Sequence, residues 1–517
     1  MVSALRRSED RPPQQLKKRF AIELCADEGI GEKDATKKAW SDEATFYIWN
    51  DAAYTPQPGS GAFRSEDFQF GKAWPDPQDM IDRLHEKGIR LVLWQIPALK
   101  ELEAGRSVPQ HAADIEFALE NGLVAINDDE ARMPYRIPLQ WFIGSYLPDF
   151  TNPALADWWM AKRQYLLEMG VDGFKTDGGE FVHDLSIRFA DGSSGESMRN
   201  RYAAAYEKSY HALAGKERVL FSRAGYTGAQ TASLHWAGDQ LSTFSEMRAV
   251  LTAGLSLGLS GVPFWGFDIG GFAGPIPSAE LYLRATALAV FSPIMQWHSE
   301  MVEGQYGAGS DGDANNDRSP WNIARRNNDS SVCEISVFFA NLRMNLLPEI
   351  INQARIAQRD HLPMMRHLVL DYPGNPEAMH CDDQFLLGEL LVAPVITEGA
   401  NGRTVYLPEG DWVDFWSGKP YPGKSRIQVT AGLDRIPVFL RHGGAVLLNL
   451  AEDQTLGSPV GNQVGDYPQL ILLTGGARAS YVYEDKNGRS LRLTDGKLTS
   501  DLSSRLTVRN LEGMKML

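Results

Sequence analysis

The sequence predicts an α/β protein: a (β/α)8 TIM-type barrel, short of a complete first unit, followed by a C-terminal β-sandwich. Three observations carry this prediction. The first is a helical stretch, Asn152 to Met169, that leads into a short apolar run ending in acids: Gly170-Val171-Asp172-Gly173-Phe174-Lys175-Thr176-Asp177-Gly178-Gly179-Glu180. An acid at the C-terminal end of a parallel strand points into the mouth of such a barrel. The glycines after it let the chain turn without a Cβ clash. The second is recurrence: further strand tips fall near Arg223, Asp239, Asp268 and His298, separated by helical stretches. The third is a change of character from roughly residue 379, where short strands alternate with turn signals. Pro408-Glu409-Gly410-Asp411 and Arg441-His442-Gly443-Gly444 are two of these signals.

Each element follows in order. The segment 1–19 is polar, with Arg6, Arg7, Asp10 and Arg11, and shows no apolar signal core. Phe20 to Leu24 is the candidate first strand, and Ala44 to Trp49, aromatic and β-branched, the second. Pro75 to Lys87 reads as a helix with Met80, Ile81 and Leu84 apolar, and Ile89 to Trp94 as a buried strand. Residues 100–148 form an excursion with few signals. The helix from Asn152 carries Pro153 near its start and Leu155, Trp158, Trp159, Leu166 and Leu167 at roughly helical spacing. Arg218 to Arg223 and Leu234 to Asp239 read as strands. Ala249 to Phe267 is uncharged and long enough to suggest a membrane span. Its glycines, serines and Pro263 argue instead for a buried helix, Phe244 to Leu259, and then a buried strand. The Gly304 to Asn316 loop lacks calcium-ligand spacing and reads as a flexible lip. Glu334 to Arg355 reads as one long helix. The resulting division is 1–19, a barrel over 20–358, a proximal β-sandwich over 359–446 and a distal β-rich segment over 447–517.

Composition narrows the function. A chain of 517 residues exceeds one ordinary core. At 43% hydrophobic and 23% charged it is globular. A net charge of −15 argues against nucleic acid and anionic membranes as partners and suits a neutral sugar. Thirteen Trp and 17 Tyr fit carbohydrate stacking and fit a large core equally. Cys25, Cys333 and Cys381 are too few and too scattered for a disulfide framework or a zinc site. The expectation is therefore no metal, no cofactor, and reduced thiols in a cytoplasm.

Asp177 and Asp239 sit at the ends of separate strands, amid Trp and Arg, which fits sugar chemistry. One acid attacks the anomeric carbon and the other protonates the leaving oxygen; in a retaining enzyme the two lie about 5–5.5 Å apart. Either acid alone could instead cap a helix or pair with Lys175 or Arg223.

Several blocks in order decide between these readings. Phe174-Lys175-Thr176-Asp177 with Glu180 comes first, then Ser222-Arg223-Ala224-Gly225 and His235-Trp236-Ala237-Gly238-Asp239. Ser260 to Phe272 follows, then Gln296-Trp297-His298-Ser299, then Asp383 to Gly388 with Leu391 to Val395. Together they resemble glycoside hydrolase family 31, retaining α-glycosidases that include α-glucosidases, α-xylosidases and α-galactosidases. The resemblance implies Asp177 as nucleophile, held ionised by Lys175, and Asp239 as acid/base, its pKa raised by apolar neighbours such as Trp236. It implies Arg223 as a planar fork for a hydroxyl or carboxylate. Trp94, Trp236 and Trp265 would offer flat faces to a sugar ring, and His298 would bind substrate. Asp268 would bind a sugar hydroxyl or fix the Gly270-Gly271 loop, with substrate favoured.

The front end departs from the family. Members usually carry a β-sandwich before the barrel, and here only Met1 to Trp40 precede the recognisable part. Lys37-Lys38-Ala39-Trp40 occupies the place of an acidic residue that binds a sugar hydroxyl. An incomplete first unit would expose strand edges, so lower stability or a homo-oligomer is expected. Three functions stay open: a retaining α-glycosidase acting on an oligosaccharide or other α-glycoside, a transglycosylase of the same chemistry, and a weakly active or non-catalytic sugar-binding protein.

Overall fold

The computed structural model describes strands at 23–25, 46–50, 63–64 and 69–70, and then residues 76–512 except 87–88, 102–108, 140–141, 229, 231–233, 300–315, 317, 461–466, 468 and 486. Lys37 to Trp40 and nearly all of the Gly304 to Asn316 loop lie outside the described residues. Among those described, one compact unit ends at Trp236 and a second begins at Ala237.

The first unit is built on parallel strands joined by helices. Glu23–Cys25, Phe46–Asn50, Arg90–Gln95, Gly173–Thr176, Val219–Ser222 and Leu234–Trp236 pair side by side in that order. A first strand of three residues is present, and the rest of the first βα unit lies outside the described residues. Glu23–Cys25 is short, but it pairs with Ile48 to Asn50 in parallel register. The helix Pro77–Glu86 turns Met80, Ile81 and Leu84 inward. The excursion contains a helix, Pro109–Glu120, that the sequence does not announce.

The helix expected over 152–169 is two. Asn152 caps Pro153–Ala161 through the Ala154 N–H, and Gln164–Glu168 follows. The interruption falls at Arg163, whose fully buried side chain donates from Nε to Gln95 Oε1 at 2.6 Å. Gln95 Oε1 also accepts the Tyr210 hydroxyl at 2.7 Å, and its Nε2 donates to the Trp94 carbonyl at 2.7 Å. A buried polar network of this kind is stable only when its members are satisfied. Here it braces the strand that carries Trp94.

In the second unit the helix Phe244–Leu259 runs as predicted, with Thr243 accepting the Glu246 N–H as its N-cap. No helix among the described residues is long and apolar enough to cross a membrane. Trp265–Gly266 forms the next short strand, and Asp268 bridges Gln296 in parallel fashion. The single helix expected over Glu334 to Arg355 is broken at Leu346 into Ser331–Asn345 and Leu347–Asp360. Pro348 explains the break: it has no N–H to donate and its ring clashes with the preceding turn.

The β-rich part follows in the same unit. Strands Arg366–His367, Phe385–Leu387, Leu390–Val392, Val438–Arg441, Asp411–Asp414 and Pro420–Pro422 make one antiparallel sheet. Gly402–Leu407 pairs with Ser425–Thr430 in a second. Leu386, Leu391, Trp412 and Phe439 of the first share a core with Val405 and Leu407 of the second, which is the sandwich arrangement. Beyond it, Ala445–Leu448, Gln469–Thr474 and Arg505–Asn510 form a mixed sheet. Tyr481–Glu484, Ser490–Thr494 and Lys497–Ser500 form an antiparallel one.

Candidate active site

The residues singled out from the sequence fall into two groups, one in each compact unit. In the first unit Asp177 follows directly on the strand Gly173–Thr176, and its N–H donates to the Gln95 carbonyl at 2.9 Å. Its carboxylate is almost wholly buried and held by three donors. Trp94 Nε1 donates to Oδ2 at 2.7 Å. The Gly178 N–H donates to Oδ1 at 2.7 Å, and an Arg223 guanidinium nitrogen lies 3.1 Å from Oδ1. Gly178 has φ +72, and a Cβ there would sit 2.5 Å from Ile96 Cδ1. Only glycine fits that turn.

Several expected roles shift on this geometry. The sequence suggests Trp94 as a flat face for sugar; the structure uses its indole edge as a donor to Asp177. It suggests Lys175 as the charge beside Asp177. The Lys175 ammonium is fully buried and lies 4.5 Å from the centre of the Trp236 ring. The charge that meets Oδ1 is that of Arg223. The fork expected of Arg223 toward substrate is already engaged. Its Nε and a terminal nitrogen grip both oxygens of Glu180, at 3.0 and 3.2 Å. Trp236 is packed between Phe221, at 4.9 Å between ring centres, and Lys175, so it is part of the interior rather than an open platform.

In the second unit Asp239 is exposed, just past the strand end, whereas the sequence leads one to expect an apolar shell around it. Asp268 is fully buried. Its Oδ1 accepts from Gln296 Nε2 at 2.8 Å, and its carbonyl accepts from Gln240 Nε2 and from the Gly271 N–H. These bonds fix the loop through the Asp268 backbone and Oδ1, and they leave the hydroxyl-binding expectation untouched at Oδ2. Trp265 is buried against the helix Phe244–Leu259: a Cβ on Gly254 would lie 2.5 Å from its ring. It too belongs to the core. His298 is buried, with its ring 4.7 Å from that of Phe272. The loop bearing Phe272 is anchored by the buried Arg318, which donates to the carbonyls of Gly271 and Gly274.

Three contributors escape a reading of the sequence. Gln95 and Arg163 brace Trp94 from below. Tyr135 lies in the excursion, and its hydroxyl donates to the Phe181 carbonyl at 3.1 Å and accepts the His183 N–H at 3.2 Å. Burial raises the Tyr135 pKa, which keeps the hydroxyl protonated as a donor. A Tyr between Pro134 and Arg136 carries no local pattern that would single it out.

Known proteins match this chain over both units. Residues 45–353 match the model of the glycosyl hydrolases family 31 TIM-barrel domain, and residues 361–446 match that of the glycosyl hydrolase family 31 C-terminal domain. The isomaltosyltransferase of Sporosarcina globispora is 42% identical over 467 residues, which cover 89% of this chain and 42% of that protein. The 1,3-α-isomaltosidase of Kribbella flavida is 41% identical over 412 residues, 78% of this chain and 55% of that protein. A solved structure, the cycloalternan-forming enzyme from Listeria monocytogenes in complex with a pentasaccharide substrate, superposes with a TM-score of 0.85 at 35% identity. The match covers 98% of this chain and 49% of that one. The chain thus spans about half the length of the relatives it matches. Its fold is the family's TIM barrel followed by a domain of antiparallel sheets, and the barrel model accounts for the larger part of the sequence. On that match, and with the Asp177 strand end built as described, the chain belongs to glycosyl hydrolase family 31.

Proposed function

We propose that the chain is a retaining α-glycoside hydrolase acting on α-glucan oligosaccharides that carry an isomaltosyl unit, through a covalent glycosyl-enzyme intermediate. The observation that carries this reading is the Asp177 carboxylate, fixed at a parallel strand end by Trp94, Arg223 and the Gly178 N–H. Oδ1 takes two of these partners and Oδ2 one. Oδ2 therefore keeps lone-pair density for attack on the anomeric carbon. As that bond forms, the glycosidic bond breaks and the leaving oxygen takes a proton from Asp239. Asp239 then removes a proton from water, whose oxygen displaces Asp177 from the sugar. Two inversions return the α-configuration.

The isomaltosyl assignment is supported by the names of two relatives, an isomaltosyltransferase and a 1,3-α-isomaltosidase, each aligned over most of this chain. The first name also favours a second reading, transfer to a sugar. In that case an acceptor hydroxyl replaces water in the last step, and the residues and proton movements are the same.

The test is turnover of aryl α-isomaltosides beside aryl α-glucosides and α-xylosides, with the anomer of the first product followed by NMR. Release of α-isomaltose supports the proposal. Transfer products that outgrow hydrolysis when a sugar acceptor is added support the second reading. A β-anomer as first product, or turnover of xylosides alone, overturns the assignment.

A further inference from the structure

Glu180 is more exposed than the groups it serves. Its side chain is 48% accessible, against 17% for Arg223 and 9% for Asp177. A solvent-exposed ion pair gains little by itself, because two long side chains lose entropy to hold one geometry. Yet this pair is bidentate, and the same guanidinium reaches Asp177 Oδ1. Something other than the ion pair must fix where Glu180 stands.

The backbone on both sides of Glu180 is constrained. On one side Gly178 and Gly179 take φ +72 and +102, and added Cβ atoms would meet Ile96 and Ala203. On the other, the Tyr135 hydroxyl binds the chain twice, donating to the Phe181 carbonyl and accepting from the His183 N–H. The Phe181 ring packs edge-on to Phe142, 6.0 Å between centres. Tyr135 and Phe142 both come from the excursion 100–148, whose described residues supply no strand to the parallel sheet.

We propose that Tyr135 and Glu180 are positioning residues for the nucleophile. Tyr135 pins the loop after Asp177, the pinned loop presents Glu180, and Glu180 orients Arg223 so that one of its nitrogens stays on Asp177 Oδ1. The excursion is thereby a brace for the reacting carboxylate. The inference rests on the reading of Asp177 as nucleophile given above.

A double-mutant cycle on the full chain tests it. Tyr135→Phe keeps the ring and removes only the hydroxyl, and Glu180→Gln changes a partly exposed group, so both variants should fold. Each single change should lower kcat/KM on an aryl α-glycoside roughly tenfold, mainly through kcat, since a small displacement of a reacting group is costly. Residues acting in one chain are non-additive. The double variant should therefore also lose roughly tenfold, not the hundredfold that independent effects would give. Amide hydrogen exchange over 178–183 supplies a readout that needs no turnover: Tyr135→Phe should accelerate it. Multiplicative losses, or Tyr135→Phe with unchanged exchange, overturn the proposal. A wild-type chain inactive on every α-glycoside would remove the functional reading instead, and exchange alone would then decide whether Tyr135 braces the loop.

Discussion

Asp177, the proposed nucleophile, shows how much of a carboxylate's setting comes from its neighbours. The acid, the strand before it and the glycines after it are local features, and all three stand out in the sequence. Its partners do not. Trp94 comes from a strand that lies two strands back in chain order from Val219–Ser222, which delivers Arg223, and neither pairing leaves a trace in spacing. Lys175 was the nearest cation along the chain, and the structure turns it to Trp236. Proximity in sequence is a weak guide to which charges meet, because a neighbouring parallel strand, here Val219–Ser222, brings in a side chain far away along the chain. Asp239 makes the sharper prediction at this scale. On the proposed mechanism, replacing it with Ala removes the proton donor of the first step. Alkyl or sugar leaving groups should then lose about 10²–10⁴ in kcat/KM, and activated nitrophenyl glycosides far less. Parallel kinetics on the two substrate types check this, and equal losses would count against the acid/base role.

At the scale of elements, legibility follows local determinants. The helix Phe244–Leu259 is where the sequence puts it, because Thr243 caps it and a glycine- and proline-bearing turn ends it. Two helices depart from the sequence reading, one for a tertiary reason and one for a local reason. The 152–169 stretch breaks at Arg163, which turns inward to Gln95, and the 334–355 stretch breaks ahead of Pro348. The Pro348 break was readable in principle, since proline within a helical pattern is a stop signal. The Arg163 break was not, since it needs a partner from another strand. Gly254 tests how tightly one such helix is seated. A methyl group there would lie 2.5 Å from the Trp265 ring, far inside contact distance. Gly254→Ala should destabilise the chain by about 1–3 kcal/mol, despite the better helix propensity of Ala. Urea unfolding measures this. A neutral or stabilising result would show that Trp265 has room to move.

For the molecule as a whole, the family match fixes the architecture, and the β-rich part adds a testable electrostatic feature. Glu349, on the helix Leu347–Asp360, is fully buried and accepts from the Tyr481 hydroxyl at 2.5 Å, from the Leu447 N–H at 3.1 Å and from Gln353 at 2.7 Å. Burial raises its pKa, the nearby Glu389 charge adds to the rise, and the three donors only partly offset it. A carboxyl whose folded pKa lies above its unfolded value costs stability once both states are ionised. That cost is absent below the unfolded pKa, near 4.3, and grows as pH rises through the folded value. Glu349→Gln cannot ionise. Its stability relative to wild type should therefore improve with rising pH between about pH 4 and pH 7, by up to about 1.4 kcal/mol for each unit of the pKa difference. Unfolding midpoints of the two proteins across that range should diverge; parallel curves, or divergence of the opposite sign, would contradict the burial argument. The central claim, that Asp177 forms a covalent bond to the sugar, has the most direct test of all. A fluorinated α-glucosyl fluoride, activated for the first step and slowed in the second, should inactivate the enzyme. Mass spectrometry of a digest should then place one glycosyl adduct on the peptide containing Asp177, and Asp177→Ala should take up none. An adduct on another carboxylate, or turnover by Asp177→Ala near the wild-type rate, would contradict it.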